Sequence, residues 1–159
     1  MKIVIIDDLG TVVTNIGRAF GMLGHSCLGI HVKGSRVDDT TEAADLERIQ
    51  KAIIRYKPDL YFIDQGCHPL GGVIAHELQL PRDRVVGTTT SEVPQQYAFA
   101  QLSLKERMNG EFNPGISVHV LSFLFRHREH LERLGLKVLD VPPAELEFMT
   151  TCSPNHLRE

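Results

Sequence analysis

Short apolar runs alternate along the chain with longer stretches in which apolar residues recur every three or four positions. A short run of β-branched and aliphatic residues is typical of a strand buried on both faces of a sheet, and the longer repeat is typical of an amphipathic helix. The short runs predict strands over residues 2–6, 27–32, 60–63, 84–88 and 136–141. The longer stretches predict helices over residues 11–23, 43–56, 70–80, 93–108, 117–134 and 144–149.

The alternation of strands with helices predicts the fold class. Strands separated by helices pair side by side in parallel, with the helices packed on both faces of the sheet. We therefore expect a single α/β domain over residues 1–159, built on a doubly wound, five-stranded parallel sheet of flavodoxin-like architecture.

Acidic and hydroxyl residues stand where three of the predicted strands end. Asp7 and Asp8 follow the first strand, Asp64 follows the third, and threonines occupy residues 88–90 at the end of the fourth. In a doubly wound sheet the carboxyl ends of the strands form the binding site, so these residues can converge. Adjacent carboxylates repel unless a cation or a proton lies between them. The alternative is that Asp7 and Asp8 cap the first helix, where anions are favoured.

Composition and charge exclude several other classes of protein. The formal charge of -3 and the isoelectric point near 6.2 give no basic surface for nucleic acid. No apolar run reaches the roughly 18 residues of a membrane span. Three cysteines are too few for a disulfide framework. We expect a cytoplasmic protein that contacts neither nucleic acid nor a membrane directly.

Four segments together resemble the receiver domain of bacterial response regulators. They are KIVIIDD, KPDLYFIDQGCHPLGG, RVVGTTTSE and LKVLDVPPAEL, which occur in the family's order and span nearly the whole chain. The resemblance implies a stand-alone receiver in two-component phosphotransfer signalling, and it favours a signalling domain over an enzyme. The implied partners are a histidine kinase or phosphotransfer protein that donates the phosphoryl group and a downstream protein that reads the signal.

The resemblance also implies roles for individual residues. Asp64 would accept the phosphoryl group, and Thr89 would be the switch residue whose hydroxyl bonds a phosphoryl oxygen. A Mg²⁺ ion would be held by Asp7, Asp8 and Asp64 together with the backbone carbonyl of Gly66. This ligand set suits Mg²⁺, which prefers carboxylate, carbonyl and water oxygens.

The sequence departs from the receiver pattern near its end. Where the family has a lysine before a proline on the fifth strand, this chain has Val141. Lys105 and Arg107 are then the alternative cations. The stretch between Thr89 and Val141 is longer than a receiver usually has, so we expect an extra helix between the fourth and fifth strands, as an insertion at about residues 110–135. Phe123 is expected to point away from that helix's apolar stripe, which predicts a homodimer through residues 93–134.

Two other functions remain open from the sequence alone. The fold could serve as a pseudo-receiver that binds proteins without being phosphorylated, as the valine at residue 141 suggests. The segment DDLGT also resembles in part the opening motif of haloacid dehalogenase-type phosphatases, which would make the chain a degenerate phosphatase. In that motif a second aspartate acts as general acid, and here Leu9 takes its place.

Overall fold

Five strands lie at the centre of the computed structural model, which describes residues 1–32, 39–67, 70–89, 96–103 and 114–138. At residues 39–41, 89, 103 and 114–118 it describes the backbone alone. The strands are β1 (Lys2–Asp7), β2 (Ser26–His31), β3 (Leu60–Asp64), β4 (Val85–Thr89) and β5 (Ala100–Ser103). All neighbours pair in parallel, in the order β2-β1-β3-β4-β5. This is the doubly wound order in which a binding crevice forms between β1 and β3.

Five helices of the described part of the chain pack against this sheet. They are α1 (Gly10–Met22), α2 (Asp39–Tyr56), α3 (Gly71–Glu77), α4 (Pro114–Arg126) and α5 (Arg128–Arg133). Left-handed glycines follow α1 and α5, with Gly24 at φ 81° and Gly135 at φ 75°. Because glycine adopts this conformation without steric cost, both helices can end sharply there. None of the helices in the described ranges is long and apolar enough to cross a bilayer.

The alternation of side chains along the strands divides the core into two layers. In β1, Ile3 and Ile5 point to one face of the sheet and Val4 and Ile6 to the other, and all four are fully buried. The first face packs against α1 and α4, through side chains that include Ile16, Phe20, Val120 and Phe123. The second face packs against α2 and α3, through side chains that include Ile49, Ile53 and Ile74.

The predicted five-stranded parallel fold is confirmed, but its fifth strand lies elsewhere in the sequence. Residues 96–103, predicted as part of a helix over 93–108, contain no helix and supply β5. Ala, Gln and Leu in this stretch favour a helix intrinsically. The open edge of β4 offers a complete row of backbone hydrogen bonds, and pairing with it overrides that local preference.

The predicted strand over residues 136–141 is wrong in its described part. Residues 136–138 form no strand, although Leu136 and Val138 are buried against the core beside α1. Their alternation reflects packing on the core, since the edge of β4 is already paired with β5. Val141 and the helix predicted over residues 144–149 lie outside the described residues.

The helical segment is therefore not an insertion between the fourth and fifth strands. The connection between β4 and β5 consists of residues 90–99, and α4 and α5 follow β5. The single helix predicted over 117–134 is split in two at His127. α4 lies beside α1 on the sheet, where its apolar residues complete the first core layer.

The side chain on which the homodimer prediction rested is buried within the chain. Phe123 is only 4% exposed, whereas Phe125 is 45% exposed. The ring of Phe123 lies 5.6 Å from that of Phe62 in an edge-to-face contact. The expectation that Phe123 points away from the core is therefore wrong, and the argument for a homodimer loses its basis.

Candidate functional site

Three carboxylates meet at the carboxyl ends of β1 and β3. One oxygen atom from each of Asp7, Asp8 and Asp64 lies within 4.8 Å of the others. The two strands are direct neighbours, with Ile6 paired to Ile63, so the residues that follow them are carried to the same edge of the sheet. The predicted convergence is confirmed by this geometry.

The link between β1 and α1 consists of only two residues, and a hydrogen bond to the carboxylate of Asp7 fixes its conformation. The backbone N–H of Leu9 donates to Oδ1 of Asp7 at 2.8 Å. Leu9 is the N-cap residue of α1, and its own side chain makes no capping hydrogen bond. The alternative in which Asp7 and Asp8 cap the first helix stays a prediction.

Backbone and thiol donors fix the loop that follows β3. The N–H of Gly66 donates to Oδ2 of Asp64 at 3.1 Å, and the thiol of Cys67 donates to the Asp64 carbonyl at 3.1 Å. The N–H of Gln65 donates to the carbonyl of Thr88 on the neighbouring strand at 3.2 Å. This loop after β3, called the acceptor loop after the role expected of Asp64, is thus held to the Asp64 carboxylate and to β4. The predicted role of the Gly66 carbonyl as a metal ligand stays a prediction.

A glycine allows α3 to begin directly against this loop. A Cβ at Gly71 would lie 2.5 Å from the backbone carbonyl oxygen of Asp64 and 2.7 Å from the hydroxyl of Tyr97. No side chain fits at that distance from a backbone atom. At Gly72 a Cβ would meet the Tyr97 ring at 3.3 Å. The close approach that requires glycine is therefore at Gly71.

Burial of the carboxylates shifts their pKa values upward. Burial, then the charges of Asp64 and Asp8, raises the pKa of Asp7 to about 7, although the Leu9 N–H opposes the shift. Burial and the charge of Asp8 raise the pKa of Asp64 to about 6. The ion pairs among described residues involve none of the three carboxylates. Among the described residues, negative charge is therefore concentrated here with no cation paired to it.

The donor set fits a hard divalent cation. Mg²⁺ binds through one or a few carboxylates and keeps several waters, and it lowers the repulsion between the ligands that hold it. Asp7 is 3% exposed, whereas Asp8 and Asp64 are partly exposed. Asp7 thus lies at the buried end of the cluster. Asp8 and Asp64 leave a side open to solvent, where water and a second ligand can enter.

Thr88 is a site residue that the sequence did not single out. It pairs with Asp64 in the register of β3 and β4, so the two side chains extend from the same face of the sheet. Thr88 is 1% exposed, and its hydroxyl oxygen has no hydrogen-bond partner among the described residues. Thr89, the predicted switch residue, ends β4, and its side chain is not described. One cue in the sequence was the spacing of two residues between Val86 and Thr88, which places both side chains on the same face of the sheet.

The hydroxyl of Tyr97 is a second buried polar group beside the acceptor loop. No residue in the described part of the chain bonds it, and the ring packs across Gly71 and Gly72 at the start of α3. Burial, followed by the nearby Cys67 and Asp64, raises the pKa of Tyr97 to about 12. The phenol therefore stays protonated and can act as a donor near neutral pH.

Three residues from the sequence interpretation fall outside the described ranges. They are the two alternative cations, Lys105 and Arg107, and Val141, which was placed where the family has its lysine. Because β5 ends at Ser103, Lys105 is the residue that follows the fifth strand by two positions in the sequence.

The chain matches solved structures, although no family model and no curated protein matches it. The BeF3-activated N-terminal receiver domain of RstA from Klebsiella pneumoniae superposes with a TM-score of 0.54 at 20% identity, covering 82% of this chain and 98% of that one. A response regulator receiver protein domain from Methanoculleus marisnigri gives 0.51 at 15% identity, covering 79% and 94%. The chemotaxis response regulator CheY4 of Vibrio cholerae gives 0.50 at 15% identity, covering 79% and 96%. The chain therefore has the fold of response-regulator receiver domains.

Proposed function

We propose that the chain is a receiver-like signalling domain that accepts a phosphoryl group on Asp64 with the help of Mg²⁺. The observation that carries the proposal is the convergence of Asp7, Asp8 and Asp64 within 4.8 Å at the end of β1 and β3. The receiver-like order of the sheet supports it, because that fold positions its site at this edge.

The proposed reaction is the transfer of a phosphoryl group to a carboxylate oxygen. An oxygen of Asp64 attacks phosphorus, the new O–P bond forms, and the bond to the donor breaks with its electron pair leaving on the donor. Bound at Asp7, Asp8 and Asp64, Mg²⁺ would offset the negative charge that accumulates between carboxylate and phosphoryl oxygens. The N–H of Gly66 holds the second Asp64 oxygen and so orients the carboxylate for attack.

Thr88 is the hydroxyl donor that we assign to the phosphoryl group. Its buried, unpartnered hydroxyl lies on the same face as Asp64, its direct partner in the sheet. A hydrogen bond to an anionic oxygen is stronger than one between neutral groups, so a phosphoryl oxygen is a suitable acceptor. We assign the role of the family's lysine to Lys105, which follows β5 by two residues. The sequence interpretation had placed that lysine position at Val141, which carries no charge.

The rim of the site fits a protein as the phosphoryl donor. Leu9 is 46% exposed and Leu70 is 47% exposed, and they flank the carboxylates from the two loops that carry them. Exposed apolar side chains beside the carboxylates give a protein that brings a phosphoryl group to Asp64 a surface to pack against. We propose that a histidine kinase or phosphotransfer protein docks here and that a downstream protein reads the result.

Intact-mass spectrometry after incubation with acetyl phosphate and Mg²⁺ tests the proposal. We expect a mass increase of one phosphoryl group in the wild-type protein and in Asp83→Asn, a control in an exposed acidic residue away from the site. We expect no increase in Asp64→Asn and a smaller one in Lys105→Ala. A wild-type protein that is never labelled, or an Asp64→Asn variant labelled like wild type, would contradict the proposal. The first result would favour a protein-binding module without phosphorylation.

A further inference from the structure

A histidine at the end of β2 contacts the backbone of the metal-site loop. The Nε2 atom of His31 lies 2.7 Å from the carbonyl oxygen of Asp8. A carbonyl can only accept a hydrogen bond, so Nε2 is the donor and carries the proton. The ring is exposed to solvent, and this contact is the feature that distinguishes it from an ordinary surface histidine.

Strand pairing brings His31 to this position. His31 is the register partner of Asp7 at the end of the β1–β2 pair, and the next N–H, that of Val32, donates to the Asp7 carbonyl at 3.0 Å. The end of β2 is thus bonded to the end of β1 by backbone and side chain together. The ring spans the short distance from β2 to the loop that carries Asp8.

The second helix holds His31 from the opposite side. Arg48 of α2 donates to the His31 carbonyl at 3.0 Å and forms an ion pair with Asp45 at 3.2 Å. The end of β2 is therefore anchored to α2 as well as to β1. A chain of contacts runs from α2 through the backbone of β2 to the Asp8 carbonyl.

Two hydrogen bonds hold the Leu9 N–H and the Asp8 carbonyl of the two-residue link between β1 and α1. One is the Leu9 N–H to Asp7 bond, and the other is the bond from His31 to the Asp8 carbonyl. Asp7 is fixed by its place in the strand and by burial, whereas Asp8 lies in the link itself. Of the three carboxylates, Asp8 therefore depends most on a neighbouring side chain for its backbone position.

From this arrangement we infer that His31 is a positioning residue that holds the backbone of Asp8 so that its carboxylate meets a cation together with Asp7 and Asp64. The inference rests on the proposed function and extends it to the groups behind the ligands. Groups that orient metal ligands typically contribute about 10–100-fold to metal affinity. Mg²⁺ demands near-octahedral geometry, whereas Ca²⁺ tolerates irregular geometry, so a displaced ligand weakens Mg²⁺ binding more.

The test compares His31→Leu, His31→Gln and wild type, with His76→Leu as a matched control in an exposed histidine of α3. Titration calorimetry with MgCl₂ and with CaCl₂ gives the two affinities. We expect His31→Leu to lower Mg²⁺ affinity by about 10-fold and Ca²⁺ affinity by less. His31→Gln, whose amide can donate to the same carbonyl, should recover most of the loss. Unchanged Mg²⁺ affinity in His31→Leu, or an equal loss for both ions, would overturn the inference.

A metal-free measurement separates this inference from the proposed function. Amide hydrogen exchange by NMR reports on the Leu9 N–H, and we expect it to accelerate in His31→Leu but not in His76→Leu. If wild type binds Mg²⁺ but is never phosphorylated, the proposed function fails and the positioning role stands on the calorimetry. If wild type binds no Mg²⁺, exchange decides whether His31 holds the link. Unchanged exchange at Leu9 would show that it does not.

Discussion

Asp64 and Thr88 are direct partners in the pairing of β3 with β4, which places beside the proposed acceptor carboxylate a buried hydroxyl that no described residue bonds. A buried donor left unpaired costs the folded state free energy. The structure thus holds at Thr88 a group that costs stability in the metal-free chain and that an arriving phosphoryl oxygen could satisfy.

Thr88→Val is expected to separate these two effects. Valine keeps the shape and removes the unpaired hydroxyl, so urea denaturation without metal should show equal or higher stability, by up to about 1 kcal/mol. Phosphoryl loading from acetyl phosphate should fall, because the donor to the phosphoryl oxygen is lost. Thr88→Ser keeps the hydroxyl and should load nearly as wild type. A valine variant that loads normally would remove Thr88 from the site.

Asp7 should make the metal-free protein less stable as pH rises. Burial raises the pKa of Asp7 from 3.8 to about 7, so the folded protein retains a proton that the unfolded chain loses above about pH 4. Stability is therefore greatest at the acidic end of this window and falls as pH rises through about 7. Asp64, with a pKa raised to about 6, acts in the same direction.

The corresponding variant is Asp7→Asn, which can still accept the hydrogen bond from Leu9. We expect it to be more stable than wild type at pH 8 in the presence of a chelator, and we expect its stability relative to wild type to increase between pH 5 and pH 8. Urea denaturation of both proteins at several pH values measures both. A difference in stability between the two proteins that is the same at pH 5 and at pH 8 would contradict the expectation.

Mg²⁺ should stabilise the folded chain by mass action. A ligand that binds only the folded state adds about 2.7 kcal/mol when present at 100 times its dissociation constant. We expect the melting temperature to rise at millimolar Mg²⁺ in wild type and in Asp83→Asn, and to rise much less in Asp8→Asn. A melting temperature that does not change on addition of Mg²⁺ in any of the three proteins would count against a metal site.

Small substitutions at Gly71 and at Tyr97 should change the stability of the protein in opposite directions. Gly71→Ala places a methyl group against the Asp64 carbonyl, so overpacking should cost about 1–3 kcal/mol of stability. Tyr97→Phe removes a buried hydroxyl without a partner and should be neutral or stabilising. Thermal denaturation of the two variants measures both effects. A strongly destabilised Tyr97→Phe would mean that the hydroxyl makes a bond that the structure does not show.

Phe123 and Phe125 provide a matched pair on one helix. Phe123→Ala leaves a cavity between Phe62 and the helix and should cost about 3–5 kcal/mol. Phe125→Ala changes an exposed side chain and should cost less than about 1 kcal/mol. Light scattering of Phe125→Ala also tests self-association, which Phe123→Glu cannot test because a charge at that position disrupts the core.

The sequence predicted β1 to β4 and the acidic cluster because the signals are local. A β-branched run defines a buried strand, and a carboxylate at its end must lie at the carboxyl edge of a parallel sheet. The fifth strand carries no such signal: residues 100–103 read Ala-Gln-Leu-Ser, which suits a helix as well. This segment becomes a strand because it pairs with the edge of β4. That contact is between residues distant from the local pattern, so the pattern cannot predict it.

That one misplaced strand produced the other errors. With the fifth strand set at residues 136–141, the lysine was sought at Val141 and the helices after β5 became an insertion. The choice of Thr89 over Thr88 has a different cause. Three threonines in a row leave the register open by one residue, and only the pairing of Thr88 with Asp64 fixes which hydroxyl shares the carboxylate's face.

The contact between Gly71 and the Asp64 carbonyl has a consequence for motion. With no space between the acceptor loop and the first turn of α3, the two cannot slide past one another and must shift as one rigid body. The hydroxyl of Tyr97 lies close to the same glycine, so Tyr97 moves with this body or is displaced from it. A displacement of a few tenths of an ångström at Asp64 would thus reach the outer end of α3 and the entrance to β5 mechanically, without any change in the sheet between them.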